Sequence, residues 1–234
     1  MAIFDTSKTY FDVTDWRTQD SGIFERCTVY DWDDNISFIS QANNRVGDGQ
    51  TSLDDDSVQF ESEYKGKYKI GLKTYNMYSD VQLEDFFKSL LSKTLGGGLT
   101  NTLINGLSTS NKIHNVNGGI DEAIKKLGKE YLRRQSLMIV LPIDADIIDN
   151  NTGYYKGIRT VYSPYMTVTP RTEGQPYGLI VDLDDVWVAQ YQDNKLRELY
   201  EEGLANAQKL FQYYYKFKFG VKGSYSCAVF NVKR

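Results

Sequence analysis

One run of apolar residues constrains the fold more than any other part of the chain. It extends from Ser136 to Ile148 and reads Ser-Leu-Met-Ile-Val-Leu-Pro-Ile-Asp-Ala-Asp-Ile-Ile. A short, continuous run rich in Val, Ile and Leu and bounded by polar residues predicts a strand that is buried on both faces. Arg133 and Arg134 precede the run, and a turn signal at residues 149–153 follows it. We therefore expect this strand at the centre of the hydrophobic core.

Apolar residues at helical spacing predict three helices around that strand. The first is capped by Asp80 and has an apolar stripe that includes Phe86 and Phe87. It is expected to end at Gly96-Gly97-Gly98, because glycine commonly terminates helices. The second extends from Gly119 to about Gln135. The third begins at Asp193 or Asn194 and extends to Phe211, with an apolar stripe that includes Leu196, Leu204 and Leu210.

Alternating apolar and polar residues predict two hairpins. The first, Val58–Tyr78, turns at Lys65-Gly66-Lys67, and the second, Tyr213–Val232, turns at Lys222-Gly223-Ser224. Further strands are expected near residues 23–30, 35–40, 153–163, 165–169 and 179–191. The predicted fold class is α+β: mostly antiparallel sheet, as a sandwich or barrel-like sandwich, with about three flanking helices. The alternation of strands and helices that forms a dinucleotide-binding fold is missing.

The length of 234 residues fits a single domain with extensions. Residues 1–22 show no clear period and contain several aromatic residues, which predicts an extended arm that packs through its rings: Phe4, Tyr10, Phe11 and Trp16. Two long loops are expected, at residues 41–57 and 96–118. Because a loop longer than about 15 residues is uncommon in a compact domain, the second loop is expected to have a function.

Composition argues against several classes of protein. A net charge of −4 and a pI near 5.2 disfavour a protein that mainly grips the phosphate backbone of nucleic acid. The N-terminus lacks the pattern of a signal peptide, and no apolar run reaches the roughly 20 residues that a membrane helix needs. We expect no membrane partner and synthesis in the cytoplasm, with Cys27 and Cys227 reduced. The 18 tyrosines favour contact surfaces, because Tyr combines apolar area with a polar tip.

Residues that could carry chemistry have simpler explanations as parts of turns and loops. The acidic clusters lie near residues 31–34, 54–56, 144–149 and 182–185, and a metal-dependent enzyme would most plausibly use Asp144, Asp146 and Asp149. That cluster breaks the ligand alternation of a calcium loop. His114 is the sole histidine, which disfavours the usual zinc sites. We therefore predict no catalytic residue, no metal site and no cofactor.

Two groups of residues are candidates for subunit interfaces. Leu99, Leu103, Ile104 and Leu107 are aliphatic positions in the predicted loop 96–118, and they pack either on their own domain or on a neighbouring subunit. Tyr214, Lys216 and Lys218 are predicted to face outward from the C-terminal strand. Aromatic and basic residues also interleave in sites for single-stranded nucleic acid, but an ordinary amphipathic strand explains the same pattern.

In overall style, the chain resembles structural proteins of tailed-bacteriophage virions, in particular ring-forming neck, tail-adaptor and tail-tube subunits. The features that fit are the segments Val58–Tyr78, 96–117 and Tyr213–Val232. The resemblance implies a non-enzymatic subunit of a homo-oligomeric ring in the virion, around a DNA channel and beside other virion proteins, without sequence-specific nucleic-acid binding. The alternatives are a glycan- or protein-binding β-rich module and the metal-dependent enzyme.

Overall fold

The computed structural model describes residues 22–38, 57–127, 135–143, 145, 153–163, 166, 177–191, 195–199 and 208–232. Three helices lie in these ranges: α1 (Leu72–Tyr75), α2 (Asp80–Thr109) and α3 (Ile120–Lys126). The same ranges contain eleven strands: β1 (Thr28–Asp31), β2 (Val58–Gly71), β3 (His114–Val116), β4 (Leu137–Pro142), β5 (Tyr154–Tyr155), β6 (Ile158–Ser163), β7 (Tyr177–Asp182), β8 (Val186–Gln190), β9 (Lys195–Leu199), β10 (Gln208–Val221) and β11 (Cys227–Asn231). The α+β class is confirmed.

The strands form two sheets, and both are mixed rather than strictly antiparallel. The first sheet has the order β1-β8-β10-β2, with β9 also paired to β10, and its β1–β8 pair is parallel. The second sheet has the order β3-β11-β7-β4-β6-β5, and two of its pairs, β3–β11 and β4–β6, are parallel. The prediction of a mostly antiparallel sheet is therefore correct only in part.

The predicted central strand is confirmed as β4. All six of its residues are buried, and it lies between β7 and β6 inside the second sheet. Its side chains alternate between two hydrophobic clusters: Met138 and Val140 belong to one, while Leu137 and Ile139 belong to the other. A strand must be apolar throughout when both of its faces are covered, which explains the continuous run. The predicted strand ends earlier than expected, because Ile143 lies in an exposed turn.

The first predicted hairpin is wrong, because β2 continues through the expected turn as one strand of 14 residues. Gly66 supplies no turn there. It lies opposite Tyr213 in the register with β10, and the Tyr213 ring occupies the space where a β-carbon of residue 66 would stand. The glycine is needed for this close cross-strand contact. Lys65 and Lys67 therefore continue the exposed face of the strand without interruption.

The third predicted helix is also wrong. Residues 195–199 form β9 and residues 208–221 form β10, whereas residues 200–207 lie outside the described part of the chain. All 14 residues of β10 pair with β2 in antiparallel register, from Gln208–Gly71 to Val221–Val58. Sheet pairing over this length outweighs a local helical period, since propensity is a weak prior that tertiary context overrides.

The predicted C-terminal hairpin does not form, although both of its strands exist. β10 belongs to the first sheet and β11 to the second, so the two strands do not pair with each other. The connection contains a short 3-10 turn, Ser224–Ser226, that leads the chain from one sheet to the other. The predicted helix from Gly119 is confirmed over Ile120–Lys126, and most of its expected C-terminal part lies outside the described residues.

The largest correction concerns the predicted helix end and the loop that was expected to follow it. α2 continues through the three glycines and ends only at Thr109, a length of 30 residues or about 45 Å. It begins with a capping box. The Ser79 side chain accepts a hydrogen bond from the Gln82 backbone N–H, and the Gln82 side-chain oxygen accepts one from the Ser79 backbone N–H. No loop exists from residue 96 to residue 109, and only the short segments around β3 remain irregular.

The glycines of α2 let this helix approach β2 closely. A β-carbon at residue 98 would stand 2.8 Å from the Tyr64 hydroxyl oxygen, and one at residue 106 would overlap the Phe60 ring. Near the start of the helix, the rings of Phe87 and Tyr68 lie 5.9 Å apart. α2 therefore runs antiparallel to β2. Its N-terminal end lies beside the C-terminal end of that strand.

Candidate interaction surfaces

The aliphatic residues that were candidates for a subunit interface are buried inside the subunit. Leu99, Leu103, Ile104 and Leu107 have no exposed surface and belong to the main hydrophobic cluster. They occupy the inner face of α2, since positions three and four apart share one side of a helix. Of the two possibilities that the sequence left open, packing on their own domain is therefore the one observed.

Lys216 and Lys218, two of the three residues that were predicted to face outward from β10, lie in a compact network of charges and rings, and Lys218 is buried rather than outward-facing. The Lys216 ammonium stands 4.6 Å from the centre of the Trp32 ring and 3.5 Å from a Glu61 carboxylate oxygen. Lys218 donates a hydrogen bond of 2.7 Å to the backbone carbonyl of Asp34. Lys218 is 8% exposed, so its stem is part of the protein interior. Whether Tyr214 and Lys216 contact another subunit stays a prediction.

A second polar network fixes the β5–β6 hairpin to α3. Lys156 and Gly157 form a two-residue turn in which both φ angles are positive, the geometry of a type I′ hairpin. The Lys156 ammonium and the Tyr155 hydroxyl donate hydrogen bonds of 2.8 and 2.9 Å to one oxygen of Asp121. Both bonds lower the pKa of Asp121 below its usual value, and the bond from Lys156 has the larger effect. Asp121 and Lys156 are exposed, whereas Tyr155 is partly buried against the second hydrophobic cluster, so the network joins the hairpin to α3 at the protein surface.

The most distinctive surface lies where β2, α1 and the start of α2 meet. Four large apolar side chains are more than half exposed within ten residues of sequence: Met77 at 75%, Tyr78 at 51%, Val81 at 67% and Phe86 at 54%. Beside them is a cavity of about 150 Å³, which is lined by Ile70, Thr74, Tyr78, Leu83 and Phe86. We call these seven residues the tip surface.

Sequence patterns placed part of the tip surface in the core. Phe86 and Phe87 were both assigned to the apolar stripe of α2, but only Phe87 is buried. Two adjacent residues point about 100° apart on a helix, so one of two neighbouring phenylalanines tends to leave the buried stripe. The adjacent phenylalanines and the nearby apolar residues Met77, Tyr78 and Val81 could have indicated an exposed apolar surface from the sequence.

No group of three or more His, Cys, Asp or Glu side chains that could hold a metal ion occurs in the described residues. The cluster of Asp144, Asp146 and Asp149 lies outside them. His114 contacts Tyr225, with ring centres 5.2 Å apart in an edge-on arrangement. Within the described ranges, no helix is long and apolar enough to cross a membrane.

No protein-family model matches the chain, and no curated protein matches it in sequence. Solved structures match it over nearly its full length. The capsid of an empty GTA particle aligns with a TM-score of 0.60 at 12% identity, covering 92% of this chain and 90% of that one. The virus-like particle from Pyrococcus furiosus aligns with a TM-score of 0.58 at 11% identity, covering 92% and 94%.

The fold is HK97-like. A third match, the encapsulin of Synechococcus elongatus, has a TM-score of 0.56 at 9% identity and covers 98% of this chain and 92% of that one. At these identities the shared property is the HK97-like fold itself. The long helix α2, packed on the β2–β10 pair, and the second sheet built around β4 are therefore parts of one known architecture, which covers nearly the whole of this chain.

Proposed function

We propose that this protein is a non-enzymatic shell subunit that assembles with identical copies into the capsid of a phage or phage-like particle. The observation that carries the proposal is the extent of the structural match. The capsid and virus-like-particle chains align with this chain over at least nine-tenths of both partners. The match therefore extends over nearly the whole of this chain and of each shell chain.

The surfaces of the subunit support the same role. Exposed apolar patches on a soluble chain commonly mark contacts with other proteins. The tip surface is such a patch, and it lies at one end of the long helix α2. The sequence suggested a ring in the neck or tail, whereas the structural neighbours favour a closed shell. The virion location expected from the sequence agrees with a capsid role.

The experiment that tests this proposal is to examine the purified protein by sedimentation velocity and electron microscopy across a concentration series. A shell subunit is expected to yield closed particles of uniform diameter. Flat rings would instead support the neck or tail role. A protein that remains monomeric at every concentration, including in extracts of cells that overproduce it, would contradict the proposal.

A compartment of the encapsulin kind is the second candidate, since the encapsulin match covers nearly all of both chains. The contents of purified particles separate the two functions. Particles with enclosed protein cargo would favour a compartment, whereas nucleic acid that is protected from nuclease would favour a capsid.

A further inference from the structure

We propose that Asn117 loses its side-chain amide spontaneously in the folded protein, becoming aspartate or isoaspartate, and that the isoaspartate form loosens β3 from β11. The inference goes beyond the proposed function, because it concerns the chemistry of the chain itself and needs no reactant other than water. It follows from the different surroundings of two Asn-Gly pairs in the same chain.

The dipeptide Asn-Gly occurs twice in the sequence, at residues 105–106 and 117–118. Asparagine is among the thermolabile residues, because its side-chain amide can be attacked by the backbone nitrogen of the next residue. Glycine has no β-carbon to hinder the approach of its own nitrogen, so Asn-Gly is the dipeptide in which this attack meets the least obstruction. Since both pairs have the same local chemistry, the fold decides which of them reacts.

The reaction needs only the two residues and water. The Gly118 nitrogen loses its proton to solvent and forms a bond to the side-chain carbonyl carbon of Asn117. The bond from that carbon to the amide nitrogen breaks, and the departing nitrogen takes up a proton and leaves as ammonia. Water then adds to one carbonyl carbon of the resulting succinimide ring, and the bond from that carbon to the Gly118 nitrogen breaks. Opening at the side-chain carbonyl gives aspartate, whereas opening at the main-chain carbonyl gives isoaspartate.

The surroundings of Asn117 leave this reaction open. The residue is exposed and lies in the short irregular connection between β3 and α3. Among the described residues, its side-chain amide has no hydrogen-bond partner that would hold it away from Gly118. A β-carbon at residue 118 would overlap the Glu122 carboxylate. The packing of α3 therefore requires the same glycine that makes the attack easy.

The surroundings of Asn105 prevent the same reaction. Asn105 lies in the helix α2, where its side-chain amide donates a hydrogen bond to the Asn101 side-chain oxygen. Its backbone carbonyl accepts hydrogen bonds from the Ser108 and Thr109 hydroxyls. In a helix the next backbone N–H donates to the carbonyl four residues before it, so the Gly106 nitrogen is held in the helix and cannot turn toward the side chain.

The place of Asn117 gives the modification a structural consequence. Asn231 of β11 donates two hydrogen bonds to this connection, from its backbone N–H to the Gly118 carbonyl at 3.1 Å and from Nδ2 to the Asn117 carbonyl at 3.0 Å. In isoaspartate the main chain passes through the side-chain carbons, and the former main-chain carbonyl becomes a carboxylate outside the chain. Both acceptors are therefore displaced. β3 has three residues and pairs with β11 in parallel, so few other bonds hold it.

The first test compares the two Asn-Gly pairs during incubation of the purified full-length protein in weakly alkaline buffer. Trypsin separates them into the peptides 94–112 and 113–125, in which mass spectrometry locates the converted residue. In the folded protein, Asn117 should convert faster than Asn105 by a factor of about ten or more, because a reaction inside a helix must wait for local opening. In urea the two rates should become similar.

Two variants control this measurement, and circular dichroism checks that both are folded. Asn117→Gln lengthens the side chain by one methylene and disfavours ring closure, so it should remove the conversion and the isoaspartate that enzymatic carboxyl methylation detects. Asn115→Gln, at an exposed asparagine of the same peptide, should leave the conversion of Asn117 unchanged. Equal conversion of Asn105 and Asn117 in the folded protein would overturn the proposal. Conversion of Asn117 in urea alone would overturn it as well.

The second test asks whether isoaspartate loosens β3. Hydrogen exchange is measured on protein that has been incubated until Asn117 has converted, and on Asn117→Gln protein after the same incubation. The amides of residues 114–116 should exchange faster in the converted protein, whereas those of the buried strand β4 should not change. Equal exchange of residues 114–116 in the two samples would show that the modification leaves β3 attached, contrary to the proposal. None of these results depends on whether the protein forms shells.

Discussion

The ring of Phe60 in β2 fills the space where a β-carbon of residue 106 in α2 would stand. We predict that Gly106→Ala destabilises the protein by about 1–3 kcal/mol, the usual cost of overpacking. Helix propensity alone would predict that Gly106→Ala stabilises the protein, because alanine is more favourable than glycine in a helix by about 1 kcal/mol. Urea unfolding of both proteins measures the difference.

Two variants control that experiment. Gly119→Ala creates no overlap, because no atom lies within 4 Å of the added carbon, so it should cost no more than the roughly 1 kcal/mol of placing alanine at the N-cap of α3. Phe60→Leu should recover part of the loss when it is combined with Gly106→Ala, since the two residues are in contact. A Gly106→Ala protein as stable as the original would show that the helix can move away from the strand.

Leu103 provides the second prediction, which separates core packing from subunit contact. Leu103→Ala should lower the free energy of unfolding by about 2–5 kcal/mol, because the side chain is fully buried in the main hydrophobic cluster. The measurement is chemical denaturation of the single subunit. Val81→Ala, on the exposed side of the same helix, is the comparison and should cost little. A stable Leu103→Ala subunit with defective assembly would restore the interface interpretation.

The third prediction concerns the ionisation of Asp121. NMR titration should find its pKa below the usual aspartate value, chiefly because Lys156 donates a hydrogen bond to it. Lys156→Gln should raise that pKa. Because the pKa is lower in the folded state, the associated stabilisation is present above the unfolded pKa and is lost as the pH falls through the folded pKa. An unchanged Asp121 pKa in Lys156→Gln would contradict the assignment.

The fourth prediction is that Cys227 does not react with thiol reagents while the protein is folded. The thiol is fully buried, and burial raises its pKa well above the usual range, so the reactive thiolate is scarce. Cys27 is buried as well. Ellman's reagent should titrate almost no thiol in buffer and both thiols in denaturant. Rapid labelling in buffer that disappears in Cys227→Ala would contradict the prediction and indicate local opening of the second sheet, whereas labelling that persists would belong to Cys27.

Local sequence patterns predicted those elements whose environment is visible in their own residues. β4 was predictable because a strand that is covered on both faces must be apolar throughout. The start of α2 was predictable to within one residue because its cap is local, although the cap is Ser79, paired with Gln82, rather than the expected Asp80. The C-terminal end of α2 was not predictable from the local sequence. Glycine is a helix breaker by propensity, and only the aromatic rings of β2, which are distant in the sequence, explain Gly98 and Gly106.

The same reason explains the incorrect strand and helix boundaries. Gly66 indicates a turn until Tyr213 is known to lie over it, and residues 193–211 have a helical period until β2 is known to pair with β10. The exposed side of α2 was hidden because adjacent residues such as Phe86 and Phe87 look alike in a hydrophobicity pattern. In each case the missing information was a partner far away along the chain.

The pairing of β2 with β10 also governs when this subunit can fold. One strand lies in the first third of the chain and the other is near its end, so the first sheet has a high contact order and closes late. A chain that is still on the ribosome has made β2 and α2 long before β10 is available. A nascent subunit therefore lacks the pairing partner of β2 until residues 208–221 have been synthesised. The order of the strands thus makes completion of the first sheet one of the later steps in the folding of the subunit.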